Sequence, residues 1–361
     1  MADVQPFRAV RYSGAAGSSA DLVAPPYDAV TDEERESLYT RSPYNVVHVT
    51  LPESADEGGR LYREWLAEGI LQHDDEPGVW LAVEDYVGPD GVPRQRRGVI
   101  GSVAAEPYDT GAVLPHERTH PRIREERRRL LRATRVQPEP ILLLADTPLD
   151  LAVPDVPAVL EVAETRLWRL PADAADGLRA AQLLIADGHH RYESAVELDE
   201  ELGSPGVRIM ALVVSTDDAG LQLLPTHRVF VNRPDVATGG AAVEPFASLE
   251  DALGRLESEP YDRSAAIRYR RADIGIVRGD AGQLDVELVD RQGLEGIEYT
   301  PRLDEARAAV DNGKADAAFI LRPPRVEDVF TVARRGERMP PKSTYFYPKP
   351  LSGLLFHPVT P

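Results

Sequence analysis

Two stretches of the chain bring together residue types that do chemistry at close spacing. LPHERTHPR, residues 114–122, contains His116-Glu117-Arg118-Thr119-His120, a literal H-E-x-x-H. On a helix that spacing sets two imidazoles one turn apart as zinc ligands, with the glutamate as general base. IADGHHRYESA, residues 185–195, places Asp187-Gly188-His189-His190-Arg191 between an apolar run and an amphipathic one. A strand-to-helix turn there offers backbone N–H groups and the positive end of a helix dipole, which together favour a phosphate. Gly188 permits the sharp turn, and Arg191 can hold phosphate oxygens through two parallel bonds. Asp187 stands at the strand end, suited to cap the helix, hold Mg²⁺ or meet a substrate hydroxyl. The plain alternative is a surface turn with an aspartate cap.

The zinc reading fails on its flanks. Gly111 and Pro115 precede the motif and Pro121 follows His120 directly. A residue before proline is pushed out of the α region, so His120 is at best a last helical residue. No third ligand follows at a recognisable spacing. The stretch is expected to be a polar loop, and the chain not to be a metalloprotease.

Elements of both kinds must position these residues. VAPPYDAVTDEERESLYTRSP (23–43) reads as an extended loop and a short helix, with Thr31 and Glu34 as a capping box and Pro43 closing it after Tyr39. YNVVHVTL (44–51) alternates like a strand, GGRLYREWLAEGIL (58–71) is an amphipathic helix, and GVWLAVEDYV with RRGVIGSVAAE reads as a hairpin. PEPILLLAD (138–146) is a buried strand, followed by a Pro-rich linker or surface excursion. LLIAD, GHH and RYESAVELDEEL form strand, turn and helix, ending before Gly203. VRIMALVVS and LQLLPTHRVF are further strands. The alternation predicts an α/β or α+β fold. A Gly/Ala-rich break, ATGGAAVEP (237–245), divides an N-terminal region, 1–235, from a C-terminal α/β lobe, 236–361.

With 361 residues the chain can build two or three cores. It has no cysteine, which excludes disulfides, thiolate metal sites and cysteine nucleophiles. No secretory signal and no run of 18 apolar residues is present, so a cytoplasmic protein is expected. A net charge of −19 argues against nucleic acid and membrane partners. One segment, Arg122–Arg135, carries seven arginines against two glutamates. It is either a solvated helix paired with nearby carboxylates or a patch attracting a phosphorylated ligand.

The Asp187–Arg191 turn resembles the G-x-H-R or G-x-R-R box of the ParB, sulfiredoxin and free-serine-kinase superfamily. Across nearly the whole chain, VAPPYD, RSPYNVVHV, PHERT, LLRAT, ADGHHRYESA, LPTHRV and MPPKSTYFYPKPLSGLLF resemble the family called domain of unknown function 1015. The resemblance implies a ParB-like nucleotide-binding core in which Gly188 is the turn glycine and His190 with Arg191 the H-R pair. His189 falls where sulfiredoxins carry a reactive cysteine, so sulfiredoxin chemistry is excluded. The free serine kinases are similar in reading Asp-Gly-His-His-Arg. That implies phosphoryl transfer from ATP or ADP with Mg²⁺ to a small hydroxyl compound, with serine the candidate acceptor. A phosphatase acting on a compound such as phosphoserine, or a non-catalytic nucleotide-binding regulatory protein, uses the same cradle.

Phosphoryl transfer asks for a carboxylate base. Glu117 is the first candidate and Asp187 its rival. Gly188, His189, His190 and Arg191 are the expected nucleotide-binding residues, and replacing Arg191 by Ala is expected to abolish binding with the fold intact. Lys342 and Ser343 are added from GERMPPKST, a near miss for a P-loop in which Pro341 takes the second glycine position and Pro340 and Pro341 remove two donors. His227-Arg228 is a second His-Arg pair, at a strand end, and Tyr27 with Asp28 is placed to shape a pocket. The sequence names no metal ligand and no oligomeric state.

Overall fold

Apolar runs bounded by glycine and proline become strands here, and the amphipathic stretches between them become covering helices. The computed structural model describes residues 3–179, 181–203, 206–234, 236, 243–271 and 273–359. The chain divides into two units: Met1–Leu221 with Pro348–Pro361, and Gln222–Tyr347. The second unit therefore begins earlier than residue 236, and the last segment returns to the first. Residues 237–242 of the Gly/Ala-rich break lie outside the described residues; Val243–Phe246 is a strand.

In the first unit a mixed sheet holds β1 (Val4–Gln5), β2 (Val79–Val87), β3 (Pro93–Ala104), β4 (Val113–Leu114), β5 (Ile141–Ala145), β6 (Leu160–Val162), β7 (Thr165–Leu170), β8 (Leu183–Asp187) and β9 (Arg208–Ser215). Their order is β4-β8-β5-β9-β3-β2-β7-β6, with β1 paired to β3. β2 and β3 form the expected hairpin. β5 runs parallel to β9 and antiparallel to β8. Every residue of β5 is buried, which explains its unbroken apolar sequence.

The helices of this unit include α1 (Asp32–Arg41), α2 (Val47–Thr50), α3 (Ala55–Ala67), α4 (Pro121–Thr134) and α5 (His189–Glu201). The Thr31–Glu34 capping box is present, and α1 runs to Arg41. The segment 44–51 is not a strand. The Asn45 side chain accepts from the Val47 N–H at 2.9 Å and donates to the Asp21 and Val23 carbonyls, starting a helical turn. Val46, Val47, Val49 and Thr50 are then all buried, a helical spacing that alternation had mimicked. α5 buries Tyr192, Ala195 and Leu198 against the sheet.

The C-terminal segment is woven into this unit. His357–Pro358 pairs with Val136–Gln137, Phe356 bridges to Val10, and Ser352 bridges to Ala24. In the second unit, Gln222–Leu224 pairs with Tyr345–Tyr347, joining the entering and leaving chain. Its six-stranded sheet alternates faces: Ala265 and Ile267 pack with helices 249–257 and 303–311, and Ala266 with helix 285–290. Both units are α/β. Among the described residues no helix is long and apolar enough to cross a membrane.

Candidate functional site

The strand-to-helix turn forms as the sequence predicts. β8 ends at Asp187, and Gly188 precedes α5 with φ 98° and ψ 27°, a left-handed conformation that side chains disfavour. A Cβ on Gly188 would lie 2.5 Å from Ile141 Cγ2. The glycine is therefore required twice, by backbone angle and by its contact with β5. No side chain caps α5.

Arg191 turns inward from this helix. Its Nη2 donates to Asp187 Oδ2 at 2.7 Å and its Nη1 to the Pro140 carbonyl at 2.9 Å. Glu139 Oε2 lies 3.7 Å from Nη1. Two guanidinium nitrogens expected to grip a phosphate are thus committed to the protein. The reason is the Pro138-Glu139-Pro140 loop, which brings a buried carboxylate and a carbonyl against the turn.

The other oxygen of Asp187 accepts from Lys349. Its Nζ stands 2.7 Å from Asp187 Oδ1 and 3.0 Å from Asp28 Oδ2. Burial works against this ammonium, but the Asp187 and Asp28 carboxylates outweigh it and hold its pKa above lysine's ordinary value. Arg191 behaves alike: burial opposes its charge, while Glu139, Asp187 and Asp28 keep it ionised. Tyr27 joins the cluster through its N–H, which donates to Glu139 Oε1 at 2.9 Å. Burial pushes its phenol up to about 12, against the pull of Arg191. Lys349 was not among the residues expected at the site. Its signal in the sequence was a lone charge inside YPKPLSGLLF, a segment otherwise suited to burial.

The two histidines act as acceptors for the loop that carries the H-E-x-x-H. His189 Nε2 accepts the N–H groups of His116 at 3.2 Å and Glu117 at 3.3 Å, and His190 Nε2 accepts that of His120 at 2.8 Å. The backbone at Glu117 is thereby held against the first residue of α5. His116 is fully buried, bonded through Nδ1 to the Ile185 carbonyl, with its ring 4.8 Å from that of His189. The helix begins only at Pro121, with His120 as an extended N-cap, so the H-E-x-x-H is not helical.

The arginine-rich helix pairs with the acidic face of α5. Arg124 reaches Glu193 at 3.0 Å and Glu197 at 2.8 Å, while Arg128 and Arg132 meet Glu201. Such half-exposed pairs contribute up to about 1 kcal/mol each. Arg127 differs: it lies over the Tyr27 ring at 4.3 Å.

Lys342 and Ser343 belong to the second unit, and the Gly188 turn to the first. Ser343 is fully buried and its hydroxyl donates to the Pro340 carbonyl at 2.6 Å. Lys342, at φ 55°, accepts through its carbonyl from Arg228. Arg228 is itself buried and paired with Asp290 at 3.1 Å. His227 Nδ1 accepts the Leu321 N–H, and burial followed by the Arg228 charge lowers its pKa to about 4. Arg228 thus braces the loop at 340–343, while His227 ties to Leu321.

Fold and turn define a two-unit α/β protein with a charged glycine turn at a strand end. The family described as "Protein of unknown function (DUF1015)" matches residues 4–250, and the chain belongs to it. It is 22% identical over 171 residues to an ATP-dependent L-serine kinase from Staphylothermus marinus, a match covering 45% of this chain and 65% of that protein. It is 18% identical to a free serine kinase solved with AMP, over 69% of this chain and 86% of that one, with a TM-score of 0.41. A variant free serine kinase solved with ADP matches at 18% identity over 69% and 87%, with a TM-score of 0.42.

Proposed function

We propose that this chain is a nucleotide-dependent small-molecule kinase, moving a phosphoryl group from ATP or ADP to a small hydroxyl compound, with free serine the leading acceptor. The observation that carries the reading is the Gly188 turn. A helix start without a side-chain cap, reached through a left-handed glycine, lies beside two largely buried cations and three carboxylates. The relative named as an ATP-dependent L-serine kinase supports the nucleotide and the acceptor.

In this reading the backbone at Gly188–Arg191 cradles the phosphates. The serine oxygen attacks the terminal phosphorus, the bond to the bridging oxygen breaks, and the nucleotide leaves one phosphate shorter. Both oxygens of Asp187 are engaged by Arg191 and Lys349, so we assign proton acceptance to Glu117 and orientation to Asp187. Among the described residues no group of three or more ligating side chains is set for a metal. Mg²⁺ commonly binds through one or two carboxylates plus substrate phosphates; with both oxygens of Asp187 paired to cations, Asp28 is the carboxylate of this cluster that could join it as part of a nucleotide complex. The ion supplies charge neutralisation for the phosphates.

Phosphorus NMR with Mg²⁺, ATP or ADP and L-serine tests this. Phosphoserine should appear with matching nucleotide loss. Inorganic phosphate released from phosphoserine alone would instead make the protein a hydrolase.

A further inference from the structure

A cavity of about 60 Å³ adjoins the first turn of α5, lined by Arg127, Glu139 and Arg191 together with Leu130, Val136 and Ile209. At about 10–15 Å³ for each enclosed water, it has room for roughly four to six waters, or one small organic ion. Its polar lining is incompletely used. The Nε–H of Arg127 and the Nε–H of Arg191 are both buried without a hydrogen-bond partner among the described residues. Arg127 Nη1 donates to the Thr50 carbonyl, and Arg191 Nη1 and Nη2 donate to Pro140 and Asp187. Glu139 is half-used in the same way. Oε1 accepts from the Tyr27 N–H and the Ser352 hydroxyl, whereas among the described residues Oε2 makes only the 3.7 Å ion pair.

Buried donors are nearly always paired, so two on residues that line one cavity call for an acceptor. A simple anion would satisfy both arginines but would face Glu139. A simple cation would satisfy Glu139 but face both arginines. A zwitterion meets all three, and apolar walls suit a short side chain.

We propose that this cavity binds a small α-amino acid. Its carboxylate accepts from Nε–H of Arg127 and Arg191, and its ammonium donates to Glu139 Oε2. This rests on the kinase reading only in making that amino acid the phosphoryl acceptor; the pocket itself stands on the lining.

The test is calorimetric titration of the full chain, without nucleotide, by L-serine, L-alanine, ethanolamine and L-lactate. Serine and alanine should bind, and ethanolamine and lactate at least ten-fold more weakly, since each lacks one charged end. Glu139→Gln, which keeps an acceptor for the Oε1 contacts, should weaken serine at least ten-fold. Should that variant fail to fold, the wild-type ligand series decides alone. Lactate binding as well as alanine would mean an anion site and overturn the proposal, as would no binding of either amino acid. Amino-acid binding in this pattern without phosphoryl transfer would keep the pocket and remove the kinase. Phosphorylation of serine with an unchanged KM in Glu139→Gln would keep the kinase and remove the pocket.

Discussion

Lys349→Met removes the cation that joins Asp187 to Asp28, and its cost can be worked from the contacts. Taking one partner from a buried ion pair costs about 3–5 kcal/mol, because the remaining charge stays buried. Two features place this case at the low end. The Asp28 carboxylate is 37% exposed, so that arm contributes about 1 kcal/mol or less. Asp187 also keeps Arg191 at 2.7 Å. We expect a loss of about 3 kcal/mol, which in a unit of this size lowers the melting temperature by roughly 6–12 °C. Calorimetric or circular-dichroism melts of wild type, Lys349→Met and Lys349→Arg at pH 7 measure it. The pH dependence has a definite sign. Because the folded pKa of Lys349 is raised, its contribution is complete below about pH 10, lysine's ordinary range, and is lost as pH rises through the folded value. The gap between wild type and Lys349→Met should therefore be flat from pH 6 to 9 and narrow in alkali. Equal melting temperatures at pH 7 would refute the view that this ammonium holds the two carboxylates.

Arg191→Ala should lower stability by about 3–5 kcal/mol, since it strips Asp187 and Glu139 of their buried partner; denaturant titration would detect it, and an unchanged fold would restore the simpler view of Arg191 as a phosphate ligand. Gly188→Ala meets both a left-handed φ and the 2.5 Å contact with Ile141, and should cost about 3 kcal/mol or more by the same assay. His189→Ala removes the acceptor of two N–H groups; hydrogen exchange at residues 116 and 117 should speed up, and unchanged protection would count against the histidine tie. His227 is held neutral in the fold with its pKa lowered to about 4. Its contribution is present above about pH 6.5 and is lost as pH falls toward the folded value, roughly 3 kcal/mol in all. His227→Asn should flatten that acid loss in pH-dependent denaturation.

Much of the fold was legible because it is local. A glycine between an apolar pentad and an amphipathic stretch announces strand, turn and helix, and β8, Gly188 and α5 follow it closely. The β2–β3 hairpin and the Thr31 capping box are local in the same sense. The segment at 44–51 misled because Val46, Val47 and Val49 satisfy a strand's composition, while the deciding contacts of Asn45 are with residues 21 and 23. The site was half legible. Asp187, Glu117 and the turn residues come together, but Lys349 arrives from the far end of the chain, after the second unit. Nothing in local spacing connects it to Asp187. At Lys342 and Ser343 a local resemblance to a phosphate loop is legible, whereas the burial and the bond of Ser343 to the Pro340 carbonyl are not. The arginine helix likewise needed its partner, since only the packing of α4 on α5 sets Glu193, Glu197 and Glu201 opposite its charges.

On the proposed reading the Gly188 turn holds the nucleotide's phosphates. Amide chemical-shift mapping of the isotope-labelled protein during titration with ADP and Mg²⁺ tests it most directly. The largest shifts should fall on the backbone N–H groups of Gly188, His189, His190 and Arg191, and adenosine alone should leave them nearly unmoved. Saturable ADP binding that shifts amides elsewhere and leaves those four in place would contradict the account.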